Sequence, residues 1–213
     1  MKVGVLGSGN VAKVLAAGFI QHHHDVMIGS RNPDKLAGWN AQNPKAARCA
    51  FAETAAFGEL LVLAVKGTAA SEALALAGSQ NLAGKPVIDA CNPIADAPPS
   101  NGVLQFFTGP NQSLMEQLQS DFPSAHFVKA FNSVGSPRMV NPVFAEGKPT
   151  MFLCGNDGGA KKTVTSILDQ FGWETADMGG AEAARAIEHL CMLWCIPGFL
   201  HNQWTHAFKL LTK

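Results

Sequence analysis

Short, nearly all-apolar runs alternate along this chain with longer stretches in which apolar residues recur every three or four positions. The short runs predict strands at Lys2–Leu6, Asp25–Gly29, Ala47–Phe51, Leu60–Val65, Pro86–Ala90, His126–Phe131 and Thr150–Cys154, with a further edge strand at Glu174–Asp177. Leu60–Val65 is apolar throughout, as a strand covered on both faces should be. Helical spacing links Val11, Val14, Leu15, Gly18 and Phe19, and again Val164, Ile167, Leu168 and Phe171 after a helix start at Asp157. Strands that alternate with helices predict a mostly parallel sheet with helices on both faces. The tail predicts two more helices. One carries the stripe Ile187, Leu190, Cys191, Trp194 and stops at Pro197-Gly198; the other carries Leu200, Trp204, Ala207, Phe208 and Leu211. The chain thus reads as one doubly wound α/β domain over 1–213, with a helical extension over about 181–213.

The first strand runs into Gly7-Ser8-Gly9-Asn10-Val11-Ala12, a G-x-G-x-x-A turn that opens a helix. This is the Rossmann dinucleotide fingerprint in the context it requires. Gly7 permits the tight turn, Gly9 lets the backbone approach a pyrophosphate, and Ala12 lets helix and strand pack closely. Ser8, Gly9, Asn10 and Val11 are the candidate pyrophosphate cradle at the positive end of the helix. NAD enzymes place an acid at the end of the second strand. Here Ser30-Arg31-Asn32 stands there and Lys35 follows, while Asp25 lies at the wrong end of the strand. A hydroxyl, a guanidinium and an ammonium suit a 2′-phosphate, so Ser30, Arg31 and Lys35 point to NADP(H).

Composition narrows the class. With 213 residues, 47% of them hydrophobic, the chain can bury a full core. Sixteen basic and sixteen acidic residues balance, and no basic stripe suggests nucleic acid or an anionic membrane. The apolar stretch Leu190–Leu200 is too short to span a bilayer and is broken by Pro197-Gly198. There is no signal-peptide core at the N-terminus, and five cysteines without C-x-x-C pairs fit reduced thiols, so the expected compartment is the cytoplasm. Cys191 and Cys195 fall on or beside an apolar stripe and read as packing residues rather than a metal pair. His22-His23-His24 ends the first helix, where consecutive side chains diverge, so no metal site is expected there. Trp194, Trp204 and Phe208 must be buried by the sheet or by a symmetry mate, which makes a homodimer an expectation.

The segment Asn92–Pro110 contains Pro93, Pro98, Pro99 and Pro110 and follows a strand end, on the rim where open α/β sheets bind ligands. Lys66, just past the fourth strand, either reaches the cofactor or faces water. Asn132, after the sixth strand, either contacts the nicotinamide or bonds its own loop.

Gly7–Val11, Ser30-Arg31, Lys129-Ala130-Phe131-Asn132 and Phe152-Leu153-Cys154-Gly155-Asn156-Asp157 together resemble the deazaflavin-dependent NADP reductase family and the NADPH domain of the STEAP metalloreductases. The resemblance runs along nearly the whole chain. It implies an NADP(H) domain that passes hydride between the nicotinamide and a dissociable flavin, deazaflavin or similar electron acceptor. It also implies that Val65, Asn92, Pro93 and Ser136 flank the ribose and nicotinamide. The chain lacks the STEAP membrane domain, and its long Pro93–Pro110 loop departs from the archaeal reductases.

The chain has no Tyr, which excludes the Tyr–Lys short-chain dehydrogenases. Reducing a flavin-like ring needs mainly the alignment of two flat rings, so no catalytic side chain is expected. The alternative function is a non-catalytic NADP(H)-binding redox sensor.

Overall fold

The computed structural model describes residues 1–212. Its strands are β1 (Lys2–Leu6), β2 (Asp25–Gly29), β3 (Ala47–Cys49), β4 (Leu60–Leu63), β5 (Pro86–Asp89), β6 (His126–Lys129), β7 (Thr150–Leu153) and β8 (Glu174–Asp177). Its α-helices are α1 (Asn10–Gln21), α2 (Ala37–Gln42), α3 (Phe51–Phe57), α4 (Ala70–Ala77), α5 (Ser79–Leu82), α6 (Leu114–Asp121), α7 (Gly158–Gln170) and α8 (Ala184–His201). The main sheet is parallel, in the order β3-β2-β1-β4-β5-β6. This is the dinucleotide-binding Rossmann order, whose direction reverses between β1 and β4.

Residue alternation sends each strand into two cores. Leu60 and Val62 join α1 and α7 residues such as Leu15, Phe19, Val164 and Leu168 on one face. Leu61 and Leu63 join Ala73, Leu74, Leu118 and Ile187, from α4, α6 and α8, on the other. All four strand residues are buried, as the unbroken apolar run predicts.

Four expectations need correction. The third strand ends at Cys49, and Phe51 opens α3 instead. Glu53 accepts the Ala50 N–H at 3.1 Å, which starts the helix one residue after Ala50. Thr150–Cys154 does not extend the main sheet; β7 pairs in parallel with β8 in a separate two-stranded sheet. Its link to β6 is an antiparallel Lys129–Cys154 bridge.

Pro197-Gly198 does not stop the tail helix, which continues to His201 and ends at a left-handed Asn202. The carbonyl deprived of a donor by Pro197 is that of Leu193, a residue 54% exposed, so water can serve it. Gly198 answers a packing demand: a Cβ there would lie 2.3 Å from the Trp204 ring. The expected second tail helix is absent as well, and no helix is found over 202–212. That segment instead lies along β7, with the Thr150 N–H donating to Phe208 O at 2.9 Å and the Leu210 N–H to Thr150 Oγ1 at 3.1 Å. Trp194 donates to His206 O at 2.8 Å and stacks on the His206 ring, so it is buried within the chain itself.

Candidate cofactor site

The reversal between β1 and β4 leaves a cleft of about 540 Å³ at the C-terminal end of the sheet. Its floor is the glycine turn. Gly7 has φ +147°, donates to Gly29 O at 3.0 Å, and holds its α-carbon where a Cβ would meet Ala64 O at 2.2 Å. Gly9 differs. Its φ is −78°, and a Cβ there would find nothing within 4 Å. The space above Gly9 is open cleft. Gly9 also precedes the 12-residue α1, whose start has neither a side-chain cap nor an acid in the first turn. The opening N–H groups of Asn10, Val11 and Ala12 therefore have no partner within the helix. Uncapped donors beneath open space at a helix start fit a diphosphate.

One end of the cleft carries the basic residues. Ser30 is buried, with Oγ 3.4 Å from Ser8 Oγ and accepting the Asn32 N–H at 3.2 Å. Arg31 and Lys35 are exposed. Lys35 stands on the 3-10 turn Pro33–Leu36, which Asn32 Oδ1 caps by accepting the Asp34 N–H. Across the cleft, Glu72 on α4 meets Arg31 Nη1 at 3.3 and 3.4 Å. At the other end Val65, Lys66 and Ala90 form the wall. Lys66 does not stand free: it pairs with Asp96 on the proline-rich loop.

The structure thus brings Gly7, Ser8, Gly9, Asn10, Val11, Ser30, Arg31, Lys35 and Val65 to one cleft. It does not place Asn92, Pro93 or Ser136 in that wall. Asn92 turns its amide to Asn132 O at 2.8 Å, and Asn132 returns a bond to Asn92 Oδ1 at 3.1 Å. Asn132 also donates to Ile187 O on α8 at 2.9 Å, so its amide ties the loops to the tail helix. Its buried Oδ1 has no partner among the described residues. Pro93 O accepts the Phe107 N–H, closing the long loop on itself, and Ser136 begins a short 3-10 turn.

One buried cluster escaped the sequence reading. Lys129, Asp89 and Glu188 are each no more than 1% exposed. Lys129 Nζ lies 2.6 Å from Asp89 Oδ2, 2.8 Å from Glu188 Oε1 and 2.9 Å from Cys91 O. Asp89 Oδ1 accepts the Cys91 N–H, while Glu188 accepts the Leu114 and Met115 N–H groups at the start of α6. Burial alone would lower the lysine, but the two carboxylates outweigh it and hold Lys129 protonated above its ordinary value. Burial and the Asp89 charge push the Cys91 thiol up, and burial pushes Cys154 up to about 12. The signal was present: an acid and a base each close an otherwise apolar strand, Val87-Ile88-Asp89 and Phe127-Val128-Lys129. Such residues pair when both faces of the sheet are covered.

The profile of the family "NADP oxidoreductase coenzyme F420-dependent" matches residues 2–93, the span that contains the whole cleft. Rat metalloreductase STEAP3 is 34% identical over 205 residues, covering 93% of this chain and 39% of that protein. Human metalloreductase STEAP2 is 29% identical over 191 residues, covering 88% of this chain and 35% of that protein. The chain therefore spans under two fifths of the length of these metalloreductases. A crystal structure from Arthrobacter sp. FB24, solved as a candidate F420-dependent NADP reductase, is 33% identical and superimposes with a TM-score of 0.93 over 100% of both chains. With cleft, sheet order and full-length relative in agreement, the chain belongs to the coenzyme F420-dependent NADP oxidoreductase family.

Proposed function

We propose that this NADP-dependent oxidoreductase passes hydride between NADP(H) in the cleft and a dissociable flavin or deazaflavin. The observation that carries the cofactor half is the pairing of an uncapped helix start under Gly9 with basic side chains at the end of β2. Asn10, Val11 and Ala12 offer N–H groups to the diphosphate, Ser30, Arg31 and Lys35 face the 2′-phosphate, and Val65 and Ala90 lead toward the nicotinamide end. When bound, NADPH supplies a hydride, and the acceptor ring takes its proton from solvent. The protein's part is alignment of the two rings. The Asn92–Asn132 pair and the Lys129 cluster hold the strand ends that frame the nicotinamide half.

Support for a flat acceptor comes from the surface beside that end. Phe106 of the proline-rich loop packs against His189 of α8, with ring centroids 5.3 Å apart. The pair offers an aromatic wall, with His189 Nδ1 held by the Arg185 carbonyl at 2.6 Å. For the homodimer, the support shifts from Trp194 to Leu193, Phe199 and Leu200, which α8 leaves 54%, 44% and 51% exposed. The five free thiols fit a reducing compartment, the cytoplasm, and no described helix is long and apolar enough to cross a membrane.

The test is NADPH oxidation across FMN, FAD, a deazaflavin, quinones and ferric chelates. Turnover with a flavin or deazaflavin, faster with NADPH than with NADH, is the expected result. Tight NADPH binding without turnover on any acceptor would instead leave the sensor role.

A further inference from the structure

The 2′-phosphate end of the cleft contains a carboxylate that the cofactor does not call for. Glu72 projects from the first turn of α4, opposite Arg31 at the end of β2. Both its oxygens approach one guanidinium nitrogen, Nη1, at 3.3 and 3.4 Å. The paired-nitrogen fork that makes arginine–carboxylate pairs strong is not formed. Among the described residues Arg31 makes no other hydrogen bond, and the two side chains are 64% and 57% exposed. This is a long, solvated, one-nitrogen contact. A phosphate dianion that engages two nitrogens of the same guanidinium can displace it.

We propose that Glu72 is a specificity-tempering residue. It holds Arg31 across the cleft and competes with the 2′-phosphate for it, so that NADP(H) binds more weakly, and leaves more readily, than Arg31 alone would allow. The proposal rests on the assignment of this cleft to NADP(H). The position of Glu72 also suits the dipole at the start of α4, which accounts for an acid there. It does not account for the reach across the cleft to Arg31. In the liganded cleft the carboxylate would face a released guanidinium and a phosphate, a second reason for binding to be tempered. Exposed ion pairs are weak and screened by salt, so the effect is modest and salt-sensitive.

Calorimetric titration of NADPH and NADH into the wild-type protein, Glu72→Gln, Arg31→Ala and the double variant tests it. Gln keeps the shape, and the site is exposed, so the fold is not at risk. Glu72→Gln should tighten NADPH about two- to fivefold and leave NADH unchanged. The gain should shrink as NaCl rises from about 0.05 to about 0.5 M, and should vanish in the Arg31→Ala background. An equal gain for both cofactors, a gain that survives Arg31→Ala, no gain, or weaker NADPH binding would each overturn it. The underlying assignment fails separately: wild-type protein that does not prefer NADPH, or an Arg31→Ala that binds NADPH as well as wild type, would remove the 2′-phosphate site and with it the role of Glu72.

Discussion

The two ends of the cleft are built on opposite principles. At the Arg31 end, proposed for the 2′-phosphate, charge is exposed, loosely paired and carried on turns: Arg31 with Glu72, and Lys35 on a 3-10 turn. Beyond the Val65–Ala90 end, proposed for the nicotinamide, charge is buried and locked, with Lys129, Asp89 and Glu188 joining β5, β6, α6 and α8. The difference separates two tasks. Choosing between NADP(H) and NAD(H) requires charges that can trade water for phosphate, and exposed side chains do so at little cost. Aligning two rings for the proposed hydride transfer requires a frame that does not move, and a buried, charge-paired network supplies one.

The comparison breaks most severely at Lys129. Lys129→Met would leave Asp89 and Glu188 buried without their counter-charge, and should cost about 3–5 kcal/mol in stability, read by urea unfolding. A loss under about 1 kcal/mol, typical of exposed pairs, would show that the cluster is no frame. The glycine turn sharpens the contrast within a few residues. Gly9→Val should leave the melting temperature within a few degrees of wild type, because its side chain enters open cleft. It should cost NADPH about 3 kcal/mol or more, two charge-assisted N–H bonds at about 1.5 kcal/mol or above each. Gly7→Ala should instead lower the melting temperature, because its Cβ would meet Ala64 O at 2.2 Å and its φ is +147°. Melting and titration of both variants check the pair; unfolding by Gly9→Val would contradict it.

Arg31→Ala should weaken NADPH by about 1.5–3 kcal/mol and leave NADH nearly unchanged, with no effect on melting. Calorimetry on the two cofactors reads this directly. A last effect is the alkaline response of the buried end. Folded Cys91, Cys154 and Lys129 all titrate above their ordinary values of 9.0, 9.0 and 10.5. Raised values mean that the folded state keeps protons the unfolded chain releases, so their contribution is complete below about pH 9. Stability should then hold through neutral pH, begin to fall above about pH 9 as the unfolded thiols ionise, and fall further once the unfolded lysine deprotonates. Melting curves from pH 7 to 11 check the sign. A rise in stability over that range would reject it.

Legibility in the sequence followed the same division. The strand–glycine–helix unit is local, and each part has its own sequence signature, so Gly7 to Val11 and Ser30-Arg31 could be placed before any coordinates. The Lys129 cluster is assembled from residues 40 and 59 positions away, at Asp89 and Glu188, and no local pattern announces such a meeting. Pro197-Gly198 misled because the usual reading of both residues is local. The reason for Gly198 is the Trp204 ring that returns against it from beyond the helix end. Asn92 and Ser136 were placed by family resemblance at strand ends. The fold does put them beyond β5 and β6, yet Asn92 is bound to Asn132 rather than turned into the cleft.

The central claim is direct hydride transfer from a cofactor held in this cleft, and isotope transfer tests it without intermediaries. NADPH carrying deuterium at the reactive ring carbon is mixed with the protein and a deazaflavin, whose reduced ring carbon does not exchange its hydrogen with water. Deuterium is expected at that carbon in the reduced acceptor, with the transfer lost in Gly9→Val and diminished at limiting NADPH in Arg31→Ala. Reduced deazaflavin that carries only solvent hydrogen, or NADPH that binds tightly while neither the deazaflavin nor any flavin is reduced, would contradict it.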